Sequence, residues 1–97
     1  MKIIQFHSGT TRGDAITNLM LFLQNVFIKR GYISDIYADY IGESLSQKIK
    51  SINSISCDSD DILIIHHSMR NNCFNKIINL PCKKILIYHN ITPSKYF

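Results

Sequence analysis

The chain has 97 residues and a formal net charge of +4. With 45% hydrophobic and 19% charged residues, its composition is that of a globular protein and excludes a disordered chain or a fibrous repeat. We expect residues 1–97 to form a single domain with one modest core. The Lys and Arg residues are scattered and not interleaved with aromatic residues, so no nucleic-acid site is expected. The basic balance suits anionic partners such as phosphate-containing ligands, or an acidic membrane surface and hence peripheral membrane association.

The first predicted elements are a strand over residues 2–7, a turn of small residues over 8–13 and a helix over 14–30. Asp14 suits the N-cap of this helix, and Gly31 suits the position after its last turn. The apolar residues of the segment recur at helical spacing, so we expect their face to lie in the core. That face consists of Ile16, Leu19, Met20, Leu23, Val26 and Phe27.

The rest of the sequence continues the alternation of strands and helices. Strands are predicted over 33–39, 61–67 and 84–88, with a weaker helix over 43–55 and a short helix over 72–80. This alternation predicts an α/β fold, namely a Rossmann-like parallel sheet of about four strands in the order 2-1-3-4 with helices on both faces. Ligands of such sheets bind at the carboxyl ends of the strands where the strand order reverses, here between strands one and three.

The cysteines and the apolar segments indicate in which cellular compartment the protein is expected. Cys57, Cys73 and Cys82 are odd in number and lack CxxC spacing, so we expect reduced thiols that pack as small buried hydrophobes. The nearly apolar run 19–28 is far shorter than the ~20 residues of a spanning helix. The first residues do not resemble a signal peptide. We therefore expect a cytoplasmic protein that does not cross a membrane.

Four histidines, His7, His66, His67 and His89, end or follow three of the predicted strands. Because the carboxyl ends of parallel strands meet at one edge of the sheet, we expect these side chains to converge in a ligand site. The alternative is that they pack in the core or lie on the surface. No metal site is expected, since HxH and HExxH spacings are absent and the carboxylates lie elsewhere.

The turn before the first helix is a second candidate. Its backbone N–H groups can bind an anion, or they can form only a tight strand-to-helix turn. The Gly9-to-Gly13 spacing is neither the dinucleotide fingerprint nor a P-loop, so no cofactor is expected. Gly13 and Asp14 are candidates for substrate binding, and Asp14 also suits the N-cap role alone. Asn90 belongs either to the site or to a turn after the last strand.

Residues 88–97, YHNITPSKYF, resemble the YHNITP segment in the N-terminal domain of group 1, family 4-like, glycosyltransferases. Segments 13–16, 36–38, 61–68 and 80–82 resemble the same domain in the same order. The resemblance implies that the chain is part of the acceptor-side, N-terminal domain of the two-domain GT-B architecture.

The resemblance also implies a function. Enzymes of this family transfer a sugar from a nucleotide-sugar donor to a hydroxyl acceptor. His66 matches the histidine that ends the equivalent strand near the reacting centre, and it is the candidate catalytic residue. The candidate substrate-binding residues are Gly13, Asp14, His7, His67, His89 and Asn90. The family's donor-binding domain has no counterpart here, so we expect the chain to be inactive alone and to partner a separate C-terminal lobe.

A rival hypothesis is a non-catalytic binding or partner module, or a decayed remnant, with the same α/β fold. A flavodoxin-like or receiver-type domain is less favoured, because the acidic cluster that a receiver needs at its strand ends is absent.

Overall fold

The computed structural model of the protein describes residues 1–67 and 74–88. Its strands and helices follow one another in the order β1 (Ile3–Thr10), α1 (Ala15–Lys29), β2 (Ile36–Ile41), β3 (Lys50–Ser51), β4 (Ile62–His67), α2 (Phe74–Ile78) and β5 (Lys83–Tyr88). Two single-turn 3-10 helices, Glu43–Leu45 and Ile52–Ser54, flank β3.

The strands form one parallel sheet in the order β3-β2-β1-β4-β5. The predicted α/β class is confirmed, and the four predicted strands, now β1, β2, β4 and β5, keep their predicted order. The difference is the two-residue strand β3, which pairs with β2 on the side where the prediction placed an edge. From β1 the chain moves outward to β3 and then crosses back to β4, so the strand order reverses between β1 and β4.

Two apolar clusters lie on opposite faces of the sheet, because successive strand residues point to opposite sides. The first contains Ile4, Phe6, Tyr37, Ile52, Leu63, Ile65, Ile77 and Cys82, so α2 packs on that face through Ile77. The second contains Ile16, Met20, Ile36, Ala38, Leu45 and Ile49, so α1 packs on the other face. The prediction of helices on both faces is therefore confirmed.

Helix α1 matches its predicted bounds to within one residue, but the buried face is rotated from the predicted one. Ile16, Thr17 and Met20 are buried, Leu23 is half-buried, and Leu19, predicted to be in the core, is exposed. Polar groups explain the rotation. Thr17 is held by the N-cap Asp14, and the Gln24 side chain donates to the carbonyl oxygen of Ser34 at 2.9 Å. Thr17 and Gln24 lie on the same side of the apolar stripe. Their hydrogen bonds rotate the helix so that this side faces the sheet.

The predicted helix over 43–55 is wrong. Leu45, Ile49 and Ile52 are all buried, as expected of its apolar face, but they belong to different clusters. Leu45 and Ile49 pack on the α1 side of the sheet and Ile52 on the α2 side. A continuous helix would keep all three on one face, so the chain instead crosses the edge of the sheet through β3.

A buried carboxylate fixes the amino ends of the central strands. Asp61 accepts hydrogen bonds from the backbone N–H groups of Asp58 at 2.7 Å and Lys2 at 2.8 Å. These two bonds hold the pKa of the Asp61 carboxyl below its usual range, since they stabilise its charged form. The backbone of Asp61 also accepts from Lys83, so this residue links the starts of β1, β4 and β5.

We expect Met20→Ala to lower the free energy of unfolding by about 2–5 kcal/mol, because the fully buried thioether leaves a cavity between α1 and the sheet. Phe22→Ala is the matched control on the same helix, since Phe22 is 65% exposed, and should change stability by less than about 0.5 kcal/mol. Urea denaturation of both variants measures the difference. Equal losses would show that the orientation of α1 is incorrect.

Candidate functional site

The carboxyl end of β1 extends three residues beyond its predicted end. Gly9 and Thr10 pair with Tyr40 and Ile41 of β2, and the Thr10 hydroxyl donates to the carbonyl oxygen of Tyr40 at 3.0 Å. The predicted flexible turn is thereby reduced to residues 11–14. In it the N–H of Asp14 donates to the carbonyl of Thr11 at 3.0 Å, and Gly13 has φ 87°, as the third position of a type II turn requires.

The structure places Asp14 at the N-cap of α1. Its Oδ2 accepts from the backbone N–H of Thr17 at 3.0 Å and from the Thr17 hydroxyl at 3.2 Å. This carboxylate already lies at the positive end of the helix dipole and uses an N–H group that a phosphate would need. The capping role is therefore observed, and phosphate binding at this helix end is disfavoured. A contact between Asp14 and an acceptor hydroxyl stays a prediction.

His66 and Gln5 form a buried pair where the strand order reverses. The Nε2 of His66 lies 2.8 Å from the Oε1 of Gln5, and the Gln5 amide nitrogen donates to the carbonyl oxygen of Met20 in α1 at 2.9 Å. A backbone carbonyl can only accept, so the amide nitrogen must face Met20 and the amide oxygen must face His66. Nε2 of His66 therefore carries the proton, and in the neutral ring Nδ1 carries the lone pair.

His7 lies beside this pair. The last residues paired between β1 and β4 are Phe6 and Ile65. If the same register is continued by one residue, His7 lies opposite His66. The alternation of side chains puts both imidazoles on the α1 side of the sheet, together with Gln5. His7 is buried, and its Nδ1 accepts from the N–H of Gly9 at 3.4 Å. The structure thus places two of the four predicted histidines on one face of the sheet.

His67 points to the opposite face. It stacks obliquely on Tyr88 of β5, with ring centroids 5.8 Å apart and an interplanar angle of 43°. Its register partner is also Tyr88, on the face occupied by Leu63 and Ile65. A ligand that contacts His66 from the α1 side of the sheet would not reach His67 directly. The predicted residues His89 and Asn90 lie outside the described residues.

Gln5 is the site residue that the sequence analysis missed. The signal was present, since a glutamine stands between apolar neighbours in a strand whose other residues predict burial. A buried amide requires hydrogen-bond partners, so it marks a polar contact within the core. In residues 1–67 and 74–88, no three His, Cys, Asp or Glu side chains are grouped as a metal site would require.

The cysteine thiols lie at the other end of the strands. Cys82 is buried in the first cluster and Cys57 packs against it, and both are free thiols. Burial, together with a hydrogen bond to Cys57, raises the pKa of the Cys82 thiol to about 11. A thiol with so high a pKa is a poor nucleophile at neutral pH. Cys73 lies outside the described residues.

No protein-family model, curated protein or solved structure matches this chain. The likeness to glycosyltransferases therefore remains an interpretation of the motifs, and the fold is established by the structure alone. None of the helices that the structure describes is long and apolar enough to cross a membrane.

We expect neutral His66 to be the Nε2–H tautomer, because Gln5 can only accept at that position. Long-range proton–nitrogen NMR spectra of the imidazole distinguish the two tautomers. Gln5→Met removes the acceptor at similar volume and should lower stability by about 1–3 kcal/mol, since it leaves the N–H of His66 without this acceptor. An Nδ1–H signal in the wild type, or a fully stable Gln5→Met variant, would contradict the arrangement.

We expect Cys82 to react with iodoacetamide more slowly near neutral pH than a free thiol such as that of glutathione, because its raised pKa makes its thiolate rare. Its folded pKa lies above the ordinary value of 9.0, so the protonated thiol contributes stability that is present below pH 9.0 and lost as the pH rises toward about 11. Peptide mass spectrometry measures the alkylation, and denaturation across that range measures the stability. Cys82→Ala is the control, and a pH slope identical to that of the wild type would refute the assignment.

Proposed function

We propose that this chain is the acceptor-side, Rossmann-like part of a glycosyltransferase, which transfers a sugar from a nucleotide-sugar donor to a hydroxyl acceptor. The observation that carries the proposal is the hydrogen bond between Gln5 and His66 where the strand order reverses. Open parallel sheets bind their ligands at this position. The resemblance of segments 13–16 and 61–68 to the glycosyltransferase domain supports the same assignment.

His66 lies near the carboxyl end of β4, where open parallel sheets bind their ligands. Its imidazole is the type of side chain that takes a proton from a reacting hydroxyl group. His7, level with it on β1, would contact the same acceptor. In this proposal His66 is the catalytic residue, and His7 positions the acceptor.

The donor side of the reaction is assigned to another lobe. A departing nucleotide diphosphate needs cations or unused backbone N–H groups for stabilisation. The turn before α1 supplies one exposed cation, Arg12, and places the carboxylate of Asp14 at the helix end. These groups provide little net positive charge, so we propose that the chain partners a separate donor-binding lobe and has no transferase activity alone.

One observation favours a second candidate, a non-catalytic binding or partner module. His66 is only 2% exposed, and its contact with Gln5 connects β4 to α1 through the backbone of Met20. Such a bridge can serve the fold alone, and an enzyme would need a movement that admits the acceptor. The two candidates differ in whether the His66 face binds sugars at all.

The test is a titration of the isotopically labelled chain with nucleotide sugars and with hydroxyl acceptors such as hexoses and alkyl glycosides. We expect no turnover and no sub-micromolar donor affinity. We expect weak acceptor binding that shifts the amide signals of Gly9, Thr10 and His66. Transfer or tight donor binding by the chain alone would overturn the division between lobes. The absence of any acceptor binding would favour the partner module.

The adjacent histidines provide a matched control. His66→Gln can keep an N–H donor facing Gln5 while it removes the imidazole, so the fold should survive and acceptor binding should weaken. His67→Ala changes the opposite face and should leave acceptor binding unchanged. If both substitutions weaken binding equally, the ligand does not use the α1 side of the sheet.

A further inference from the structure

The thiols of Cys57 and Cys82 meet where β4 and β5 begin. Asp61 brings them together, because it accepts hydrogen bonds from the residue that follows each cysteine. The backbone N–H of Asp58 donates to its Oδ2 at 2.7 Å, and that of Lys83 donates to its carbonyl oxygen at 3.1 Å. Both cysteines pack in the first cluster, and their thiols are hydrogen-bonded to each other. Contact between two residues so far apart in the chain is a property of the fold.

The two thiols differ in how a reagent from solvent reaches them. Cys57 is half-buried, whereas Cys82 is only 4% exposed. A reagent therefore meets Cys57 first, and Cys82 lies behind it within the cluster. An exposed thiol backed by a second thiol in contact is the arrangement in which one cysteine is oxidised and the other resolves the product.

We propose that Cys57 and Cys82 form a reversible disulfide when the folded protein meets a low-molecular-weight disulfide such as oxidised glutathione. Cys57 loses its proton to water, and its sulfur attacks one sulfur of the oxidant. The S–S bond of the oxidant breaks, one thiol is released, and a mixed disulfide remains on Cys57. The thiolate of Cys82 then attacks the sulfur of Cys57 and releases the second thiol. The two cysteines lose two electrons and two protons in total, and the oxidant is reduced to two thiols.

Cys82 is suited to the second step and not to the first. Burial raises its pKa most, and the hydrogen bond to Cys57 and the charge of a Cys57 thiolate raise it further. The contribution of Cys57 ends once that thiol has become a neutral mixed disulfide. The ammonium group of Lys84, which donates to the carbonyl oxygen of Cys82 at 3.0 Å, favours the Cys82 thiolate. Because the two sulfurs are already held in contact, the second step is intramolecular and outpaces exchange with a free thiol.

The disulfide ties the segment before β4 to the residue that precedes β5. It closes a loop over residues 57–82, which includes all of β4 and α2. Since thiols in contact need little movement, we expect the sheet to keep its fold and to become harder to unfold. Disulfides of proteins in reducing compartments are usually transient and respond to oxidants. The proposal is independent of the glycosyltransferase proposal, because the thiols lie at the other end of the strands from His66.

Oxidation of the folded wild-type chain with oxidised glutathione tests the pairing, because Cys73 provides alternative partners. In an unfolded chain, the loops closed by Cys57–Cys73 and Cys73–Cys82 are shorter than the loop closed by Cys57–Cys82, and shorter loops form more readily. We expect Cys57–Cys82 to be the main disulfide of the folded chain and a minor one after oxidation in urea. Peptide mass spectrometry identifies the bonds once the remaining thiols are alkylated. A main disulfide that contains Cys73, a lasting glutathione adduct on Cys57, or no disulfide in the folded chain would overturn the proposal.

Single substitutions test the order of the two steps. Cys82→Ala removes the second step, so glutathione should remain attached to Cys57. In Cys57→Ala, the buried thiol of Cys82 should react with oxidised glutathione at least roughly tenfold more slowly than Cys57 does in Cys82→Ala. Circular dichroism checks that both variants fold, and the pairing in the wild type decides the proposal independently of them. Equal rates would overturn the order of the steps, and a urea midpoint that falls on oxidation of the wild type would overturn the native geometry of the bond.

Discussion

The side-chain amide of Gln5 links α1 and β4 to β1, the strand to which Gln5 belongs. Its nitrogen reaches the backbone of α1 and its oxygen reaches the imidazole on β4, while its own backbone belongs to β1. A buried amide with either end unpaired would cost roughly 1–3 kcal/mol, so the two contacts are needed together. The position of α1, the pairing of β1 with β4 and the protonated nitrogen of His66 are therefore coupled.

The central strands bury polar groups of two kinds, a charged carboxylate at their amino ends and neutral side chains farther along. At the amino end, the carboxylate of Asp61 is buried, and hydrogen bonds from two backbone N–H groups offset the free-energy cost of removing its charge from water. Farther along the sheet, Gln5 and His7 in the middle of β1 and His66 near the carboxyl end of β4 are buried groups that can remain uncharged, which a low-dielectric position tolerates better. The carboxylate of Asp61 holds the starts of β1 and β4 in register. The imidazoles of His7 and His66 are groups that can exchange protons.

Much of the fold could be predicted from local patterns, because α1 has apolar residues at helical spacing and β1, β4 and β5 are short segments rich in apolar residues. The segment 43–55 could not, since Leu45, Ile49 and Ile52 have the spacing of one helical face yet divide between two cores. The spacing of apolar residues in a sequence indicates that they are buried, but it does not indicate on which face of the sheet they pack. Likewise, the rotation of α1 depends on hydrogen bonds to residues far along the chain, such as Ser34, which no helical pattern contains.

The position of the candidate site in the fold could be predicted from the sequence, but which side chains share a face there could not. Strand ends and topology placed His7 and His66 at the point of reversal, but the run Ile62 to Ile65 is apolar throughout and so carries no alternation to fix the facing of the strand. Which of His66 and His67 shares a face with His7 depends on the register with β1, where Phe6 lies opposite Ile65. Once that pairing is set, the alternation of side chains along the strand places His66 on the α1 side of the sheet and His67 on the opposite side, where it contacts Tyr88. The choice of candidate catalytic histidine is therefore a consequence of strand pairing, and a shift of one residue in that register would exchange the two.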